Sequence, residues 1–281
     1  MPDDLLIEQI VRAALLEDLG RGGDVTTDSI LSEEVVARGA IVTRRPGVIA
    51  GQGAARATFA MLNPAVEYEV LAPDGADVDA GTPVASLSGS ARAILTGERT
   101  ALNFVSHLSG IATAAHSLVE RVEPYKARIV CTRKTTPGLR TLERAAVAAG
   151  GASLHRYGLD DAVLIKDNHL LLCGSMTGAV TAVRRKIGHT LKVQVEVDTI
   201  EQLREALELS IDAVLLDNMP LEMLREAVTI VNGKILTEAS GSVNADNVAA
   251  IAATGVDLIS SGWITHSAPA LDLSMEINLH T

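Results

Sequence analysis

Arg133, Lys134, Arg140, His155, Arg156 and Lys166 fall within one short stretch of the chain, CTRKTTPGLRTLERAAVAAGGASLHRYGLDDAVLIKDNH, which runs from Cys131 to His169. Arg133 and Lys134 follow the apolar run ARIVC and precede TTPG, where Pro137 and Gly138 impose a turn. A planar guanidinium fork beside a point-charge ammonium suits a carboxylate or phosphate better than either cation alone. Lys166 closes the run AVLIK. If both runs are strands, their basic ends can converge on one small polyanion. A lysine at such a rim can be an anion clamp or a Schiff-base nucleophile, and the neighbouring cations favour the clamp. The structural alternatives are a solvated loop for Arg133 and Lys134 and an ion pair of Lys166 with Asp160 or Asp161. His155 and Arg156 read as surface residues when taken alone and gain meaning only from this company. Asp167, Asn168 and His169 read as caps of a following helix.

Two acids extend the pattern. Glu196 in VQVEVDT and Asp217 in VLLDNMP end otherwise apolar runs. Near a basic pocket, such carboxylates can hold magnesium, often through waters, or accept hydrogen bonds from sugar hydroxyls; otherwise they balance lysines. Ser240, Gly241 and Ser242 in EASGSVNADNV, and Ser261 and Gly262 in SSGWITHS, each stand between a strand-like and a helix-like run. Backbone N–H groups of such turns bind a terminal phosphate. Helix capping by Ser242 and Asn244 is the alternative.

These residues need elements to hold them. Residues 4–18 place Ile7, Val11, Ala14 and Leu15 at helical spacing. From Val35 to Ser90 the runs AIVTR, VEYEV and TPVASL, separated by RPG, PDG and DAG, predict a compact sheet with hairpins. Residues 91–121 predict one long helix in which Gly97 and Gly110 mark kinks or close packing. After Pro124, short β-branched runs alternate with alanine- and leucine-rich helices: ARIVCT, DAVLIK, KVQVEV, DAVLLD, KILTEAS and DLISSG. Each ends in a polar residue: Thr132 to Lys134, Lys166, Glu196, Asp217, Glu238 to Ser240, and Ser260 to Ser261. An open doubly wound sheet shares this rhythm, but polar ends on every strand above apolar interiors favour a closed or nearly closed α/β barrel with its chemistry at the C-terminal rim.

A chain of 281 residues is long enough for one large barrel or two unequal domains, and the second option is favoured. A net charge of -11 argues against nucleic acid as a partner, since the basic residues form a local cluster and no long run. No apolar stretch approaches the ~20 residues that cross a bilayer. Cys131 and Cys173, the two cysteines, lack metal-ligand spacing. Together with the lack of a signal segment, this predicts a cytoplasmic protein.

The chain resembles the quinolinate phosphoribosyltransferase family, which decarboxylates its substrate in making nicotinate mononucleotide. GDVTTD, RRPGVIAG, GERTALNF, LSGIAT, TRKTTPGLR, HRYGL, LIKDNH, VEVDT, LLDNM, EASG and THSAPALDLS carry the resemblance over nearly the whole chain. TRKTTPG with LIKDNH is its most specific part. The resemblance implies an N-terminal α/β sandwich domain over 1–112, an incomplete TIM-like α/β barrel over 113–270, and a segment 271–281 returning to the first domain. It also implies a homodimer or higher oligomer whose sites borrow residues from a neighbour.

On this resemblance the dicarboxylate-binding cations are Arg99, Arg133, His155, Arg156 and Lys166, with Arg99 donated across the dimer. The diphosphate lies near Lys134, Lys166 and Arg44, with Thr132 beside them. Glu196 and Asp217 take ribose hydroxyls and hydrated magnesium. Ser240, Gly241, Ser242, Ser261, Gly262 and His266 make the 5-phosphate site. Ala152 and Ser242 replace frequent glycines of the family, and Ser261 with Trp263 departs from a segment often read as VGA, so the phosphate-loop geometry differs in detail. Quinolinate and phosphoribosyl pyrophosphate are the implied substrates, and Lys134, Lys166, Glu196 and Asp217 the implied catalytic groups. Other readings stand beside this one: a paralogue linked to molybdate transport, a Schiff-base aldolase using Lys166, and a non-catalytic metabolite sensor.

Overall fold

The computed structural model describes residues 2–279; positions 1, 280 and 281, the outer ends of the expected first domain and returning segment, lie outside them. Two compact units form. The first takes the chain up to His116, Thr135–Gly151 and the residues from Ala268; the second takes Ser117–Lys134 and Ala152–Ser267. Family-like boundaries at 112 and 270 divide the chain linearly, whereas the first unit also recruits a helix from the middle of the sequence.

The first unit opens with α1 (Pro2–Leu19) and α2 (Val25–Ile30), followed by β1 (Val36–Thr43), β2 (Gly47–Val48), α3 (Gln52–Leu62), β3 (Glu67–Val70), β4 (Asp77–Val78), β5 (Pro83–Ser90) and α4 (Ala91–Val122). Asp24 caps α2 by accepting the Thr27 N–H at 2.9 Å. A four-stranded sheet has the order β12-β1-β5-β3, where β12 (Leu273–Leu279) is the returning segment, paired antiparallel to β1 from Thr43↔Leu273 to Ala37↔Leu279. Residues 35–90 are thus not all sheet, because α3 interrupts the hairpins and buries Ala55, Phe59 and its neighbours against Ile41, Ile94 and Val105. Gly97 and Gly110 serve close packing. A Cβ at Gly97 would stand 2.9 Å from Phe59, and one at Gly110 would stand 2.1 Å from the Pro269 carbonyl.

The recruited helix, α5 (Arg140–Ala149), turns Leu142, Ala146 and Val147 inward together with Glu143. That fully buried carboxylate accepts from His107 Nε2 at 2.9 Å and from the Thr136 N–H at 3.1 Å. Burial pushes its pKa up, but these bonds outweigh burial and leave it below the ordinary carboxylate value.

The second unit holds β6 (Arg128–Val130), β7 (Val163–Ile165), α6 (Asp167–Cys173), α7 (Met176–Lys186), β8 (Val193–Val197), α8 (Ile200–Leu207), β9 (Ala213–Asp217), α9 (Leu221–Val231), β10 (Leu236–Ser240), α10 (Val248–Ala252), β11 (Leu258–Ser260) and α11 (Trp263–His266). Each expected strand run contains one of these strands. They pair in parallel as β6-β11-β10-β9-β8-β7, so the first two strands in sequence form the two edges and the ring stays open between them. This is an incomplete α/β barrel. Val193, Val195, Val214, Leu216 and Ile259 are fully buried in its strands.

Candidate functional site

Side chains alternate across a strand, so residues two apart share a face. That rule builds the site. Lys166 follows β7 and Leu164 lies two residues below it; Glu196 and Gln194 repeat the relation on β8, Asp217 and Leu215 on β9, and Ser240 and Glu238 on β10. All except Gln194 line one cavity of about 600 Å³, together with Thr132, Arg133, Lys134, His155, Arg156, Asn218, Gly241, Ser242 and Ser260. Segments at the C-terminal ends of β6, β7, β8, β9, β10 and β11 all contribute, which requires the sheet to curl around the cavity. A smaller pocket of about 300 Å³ adjoins it, lined by Ser240, Gly241, Ser242, Asn244, Gly262, Trp263 and His266 with Thr132 and Lys134.

Inside the cavity, Lys166 Nζ lies 2.7 Å from Glu196 Oε2. Its partner is therefore Glu196 and neither of the expected aspartates. Asp161 instead accepts the Gly158 N–H at 3.2 Å and the Tyr157 N–H, closing the loop after Arg156. His169 Nδ1 accepts the Lys166 N–H at 2.9 Å, so of the expected caps His169 anchors the start of α6. Arg156 is fixed by Nη1 donating to the Ala162 carbonyl at 2.9 Å. Burial first, and then the Arg133 guanidinium, lower its pKa, with Asp161 acting in the opposite sense. An arginine remains cationic under any such shift, so the cavity keeps two guanidinium groups that gain by taking up anionic charge.

The two acids are held differently. Asp217 Oδ2 accepts from Asn218 Nδ2 at 2.7 Å. Asn218 adopts φ 52°, a left-handed backbone that Asn tolerates better than most residues. Among the described residues, no group of three or more His, Cys, Asp or Glu side chains is arranged to hold a metal. Any ion at Glu196 and Asp217 must therefore complete its shell with water or a ligand.

The turn after β10 has Gly241 at φ 116° and Ser242 at φ 48°. Ser242 thus occupies a left-handed position that glycine fills without steric cost, which gives physical content to the departure at this residue. Lys134 is held at the other side of the same pocket: its N–H donates to Thr132 Oγ1 at 3.0 Å and its carbonyl accepts from Thr265 Oγ1 at 2.7 Å. Gly262 lets its stem pass, since a Cβ there would stand 2.9 Å from Lys134 Cδ.

Three expected residues lie elsewhere. Ser261 is buried, with its N–H on the Val130 carbonyl at 3.1 Å and its hydroxyl on the Val243 carbonyl at 2.8 Å, so it braces the turn from behind and does not line the cavity. Arg44 and Arg99 belong to the first unit. Arg99 lines a separate pocket with Asp18, Asp24 and Thr96, and the Arg44 N–H donates to the Asp272 carbonyl at 2.8 Å. In the other direction, Glu238, named only as a polar strand end, and Asn218 line the cavity without an assigned role. The spacing of Glu238 two residues before Ser240 was the signal available for it. For Asn218 there was none, because its role depends on the backbone turn.

Known proteins match nearly the whole chain. The family profile described as quinolinate phosphoribosyl transferase, N-terminal domain, matches residues 24–109, and that of the C-terminal domain matches residues 111–276. A probable nicotinate-nucleotide pyrophosphorylase (carboxylating) of Synechocystis is 44% identical over 280 residues, covering 99% of this chain and 94% of that protein. A protein of the same description from Bacillus subtilis is 40% identical, covering 98% and 94%. Among solved structures, the nicotinate-nucleotide pyrophosphorylase of Francisella tularensis superposes with a TM-score of 0.94 at 37% identity, covering 98% of this chain and 97% of that one. That of Ehrlichia chaffeensis gives 0.92 at 42% identity, covering 96% and 98%.

Proposed function

The chain belongs to the quinolinate phosphoribosyltransferase family, and from that premise we propose that it joins quinolinate to phosphoribosyl pyrophosphate, releasing pyrophosphate and carbon dioxide and leaving nicotinate mononucleotide for NAD biosynthesis. One observation carries the reading: Arg133, Arg156, Lys134 and Lys166 share a cavity with Glu196, Asp217 and the Ser240–Ser242 turn. The cavity thus offers cations for a dicarboxylate and a diphosphate, acids for a sugar, and a backbone turn for a terminal phosphate.

Charge runs the reaction. Arg133 and Arg156 orient the pyridine dicarboxylate, while Lys134 and Lys166 neutralise the diphosphate as its bond to the ribose carbon breaks. Glu196 and Asp217 offset the positive charge that develops on the ribose. The pyridine nitrogen supplies the electron pair for the new bond to that carbon. The ring then carries a positive charge, draws in the electrons of the adjacent carbon–carboxylate bond as carbon dioxide leaves, and takes a proton from solvent. The protein supplies no nucleophile. The Lys166–Glu196 pair joins the two roles, because one partner faces leaving-group charge and the other sugar charge.

Glu196 and Asp217 also suit a hydrated magnesium ion, which is usually held by one or two carboxylates, waters and substrate phosphates. Bound there with the diphosphate, the ion would supply further neutralisation of the leaving group. A homodimer in which Arg99 serves a neighbouring site accounts for a family cation standing outside this cavity. Among the described residues no helix is long and apolar enough to cross a membrane, and no disulfide joins Cys131 to Cys173; the cytoplasmic setting expected from the sequence is part of the proposal.

The test is pyrophosphate release measured with phosphoribosyl pyrophosphate in the presence and absence of quinolinate. Release that depends on quinolinate, with carbon dioxide in equal amount, is the expected result. Binding of quinolinate without release would assign the chain to the metabolite sensors instead.

A further inference from the structure

The smaller pocket beside the cavity has the sign of an anion site. Among the described residues Lys134 lines it and no carboxylate does, in a chain whose net charge is -11. Gly241, Ser242 and Val243 line it too, and the N–H groups of these three meet no acceptor among the described residues. Successive backbone N–H groups in a turn make a concavity that suits an anion. The turn presents them only while it keeps its shape, and Ser242 makes that shape costly. At φ 48° it holds a left-handed backbone in which a side chain crowds the main chain, whereas glycine adopts it freely.

Asn247 holds that shape. Its Nδ2 donates to the Ser242 carbonyl at 3.0 Å and its Oδ1 accepts the Asn244 N–H at 3.0 Å, so one planar amide closes the turn from both sides. The partners fix the direction of the amide, since a carbonyl only accepts and a backbone N–H only donates; flipped over, it would lose both bonds. Asn247 precedes α10 but does not cap it with its side chain. It is also absent from the linings of both pockets, so it acts on a ligand only through the turn. Asn244 Oδ1 accepts the Asp246 N–H at 2.9 Å, which stiffens the same stretch.

We propose that Asn247 is a positioning residue for a phosphate group: its amide clasps Ser242 in the left-handed backbone, and that backbone aims the N–H groups of Gly241, Ser242 and Val243 at the anion. The clasp is needed because a serine stands where glycine would take the conformation unaided. Its part in turnover rests on the phosphoribosyl-transfer reading. Phosphate binding by the clasped turn does not.

The experiment uses the full-length protein. Calorimetry with inorganic phosphate and with ribose 5-phosphate is run on wild type, Asn247→Ala, Ser242→Gly and the double variant, after unfolding curves establish that each is folded. Asn247→Ala should weaken both ligands about tenfold, the scale of one or two neutral hydrogen bonds. Ser242→Gly alone should change affinity by less than about threefold, a span within ordinary additivity. With Ser242→Gly in place, Asn247→Ala should also cost less than about threefold, because glycine takes the left-handed backbone without the clasp. Equal losses from Asn247→Ala in both backgrounds would make Asn247 a merely structural residue. A loss of about tenfold from Ser242→Gly alone would give the binding to the hydroxyl and not to the clasped backbone. If Asn247→Ala fails to fold, Asn247→Ser takes its place in the same cycle, since one hydroxyl can accept the Asn244 N–H but cannot also reach the Ser242 carbonyl. In turnover, Asn247→Ala should raise the KM for phosphoribosyl pyrophosphate with kcat and the quinolinate KM little changed; a fall in kcat with both KM values unchanged would overturn the positioning role. Wild-type protein that binds neither phosphate ligand would overturn the proposal outright. Phosphate binding that follows the expected cycle without quinolinate-dependent pyrophosphate release would instead sink the phosphoribosyl-transfer reading and leave the clasp standing.

Discussion

Gly241 and Asn218 occupy each other's space: a Cβ on Gly241 would stand 2.2 Å from Asn218 Oδ1. The relation matters because the other end of the same amide, Nδ2, donates to Asp217. The Asn218 N–H also donates to the Ser240 carbonyl at 2.9 Å, which ties the end of β9 to the turn after β10. The phosphate turn and the sugar-facing acid are therefore one unit. Gly241→Ala must both bear φ 116° and displace the amide, so it should lose about 1–3 kcal/mol of stability and raise the KM for phosphoribosyl pyrophosphate more than that for quinolinate. Urea unfolding with paired KM measurements checks this; wild-type values in both would refute the coupling.

Lys166→Ala separates catalysis from stability. The pair with Glu196 is short, but Lys166 is 47% exposed, and ion pairs of that kind contribute at most about 1 kcal/mol. Turnover, in contrast, should fall by about a hundredfold or more, as it does when one donor aimed at developing negative charge is removed. Unfolding curves that nearly superpose beside collapsed pyrophosphate release are the expected pair of results. A large fall in stability with preserved turnover would make Lys166 a structural residue.

The barrel strands were legible because each couples a β-branched apolar run to a polar terminus, and both halves of that signal reflect where the residue ends up, interior or rim. The helix over Gln52–Leu62 was not. Its alanine-rich sequence has little periodicity, and it is set by tertiary contacts of Phe59 and by Gly51, where a Cβ would stand 2.8 Å from Leu108 Cδ1. Nor could local pattern assign Thr135–Gly151 to the first unit, since the contacts that hold it there are distant in sequence, as Glu143 with His107, 36 residues apart, shows. In the site, residue type located the cations, whereas the left-handed backbone that brings Asn218 to Asp217 needed coordinates.

Turnover should require a divalent ion. Glu196 and Asp217 are the acids of the cavity rim, and two carboxylates with a diphosphate make a typical magnesium environment. Excess chelator should abolish pyrophosphate release and added magnesium restore it, with circular dichroism unchanged throughout. Full turnover in chelator would leave the acids with the ribose alone.

Acid should remove a defined part of the barrel's stability through Asp212. Burial raises its pKa, but Lys192 at 2.9 Å, the Val193 N–H at 2.9 Å and Arg184 at 2.7 Å outweigh that and bring it down to about 2. An unfolded aspartate titrates near ~3.9. A lowered native value means that the stabilisation is complete above the unfolded pKa and disappears as pH falls through the native one. It amounts to about 2–3 kcal/mol. Asp212→Asn should therefore be less stable than wild type by about that much at pH 7, with the gap closing as pH falls from about 5 towards 2. A gap that stays constant over this range would assign the loss to packing.

Arg99 tests whether the sites are shared between subunits. It lies in the first unit, in a pocket with Asp18 and Asp24, while Lys166 lies in the barrel cavity. If Arg99 completes a neighbour's site, Arg99→Ala and Lys166→Ala chains should each be nearly inactive alone. Mixing them should restore activity, because a two-fold interface repeats one contact twice and a heterodimer then sorts both defects into one site and leaves the other intact. Subunit exchange is verified by differently tagged chains, and at full exchange about half of the dimers are mixed, so recovery should approach a quarter of wild-type activity per site. Verified heterodimers as inactive as their parents would place the action of Arg99 within its own chain.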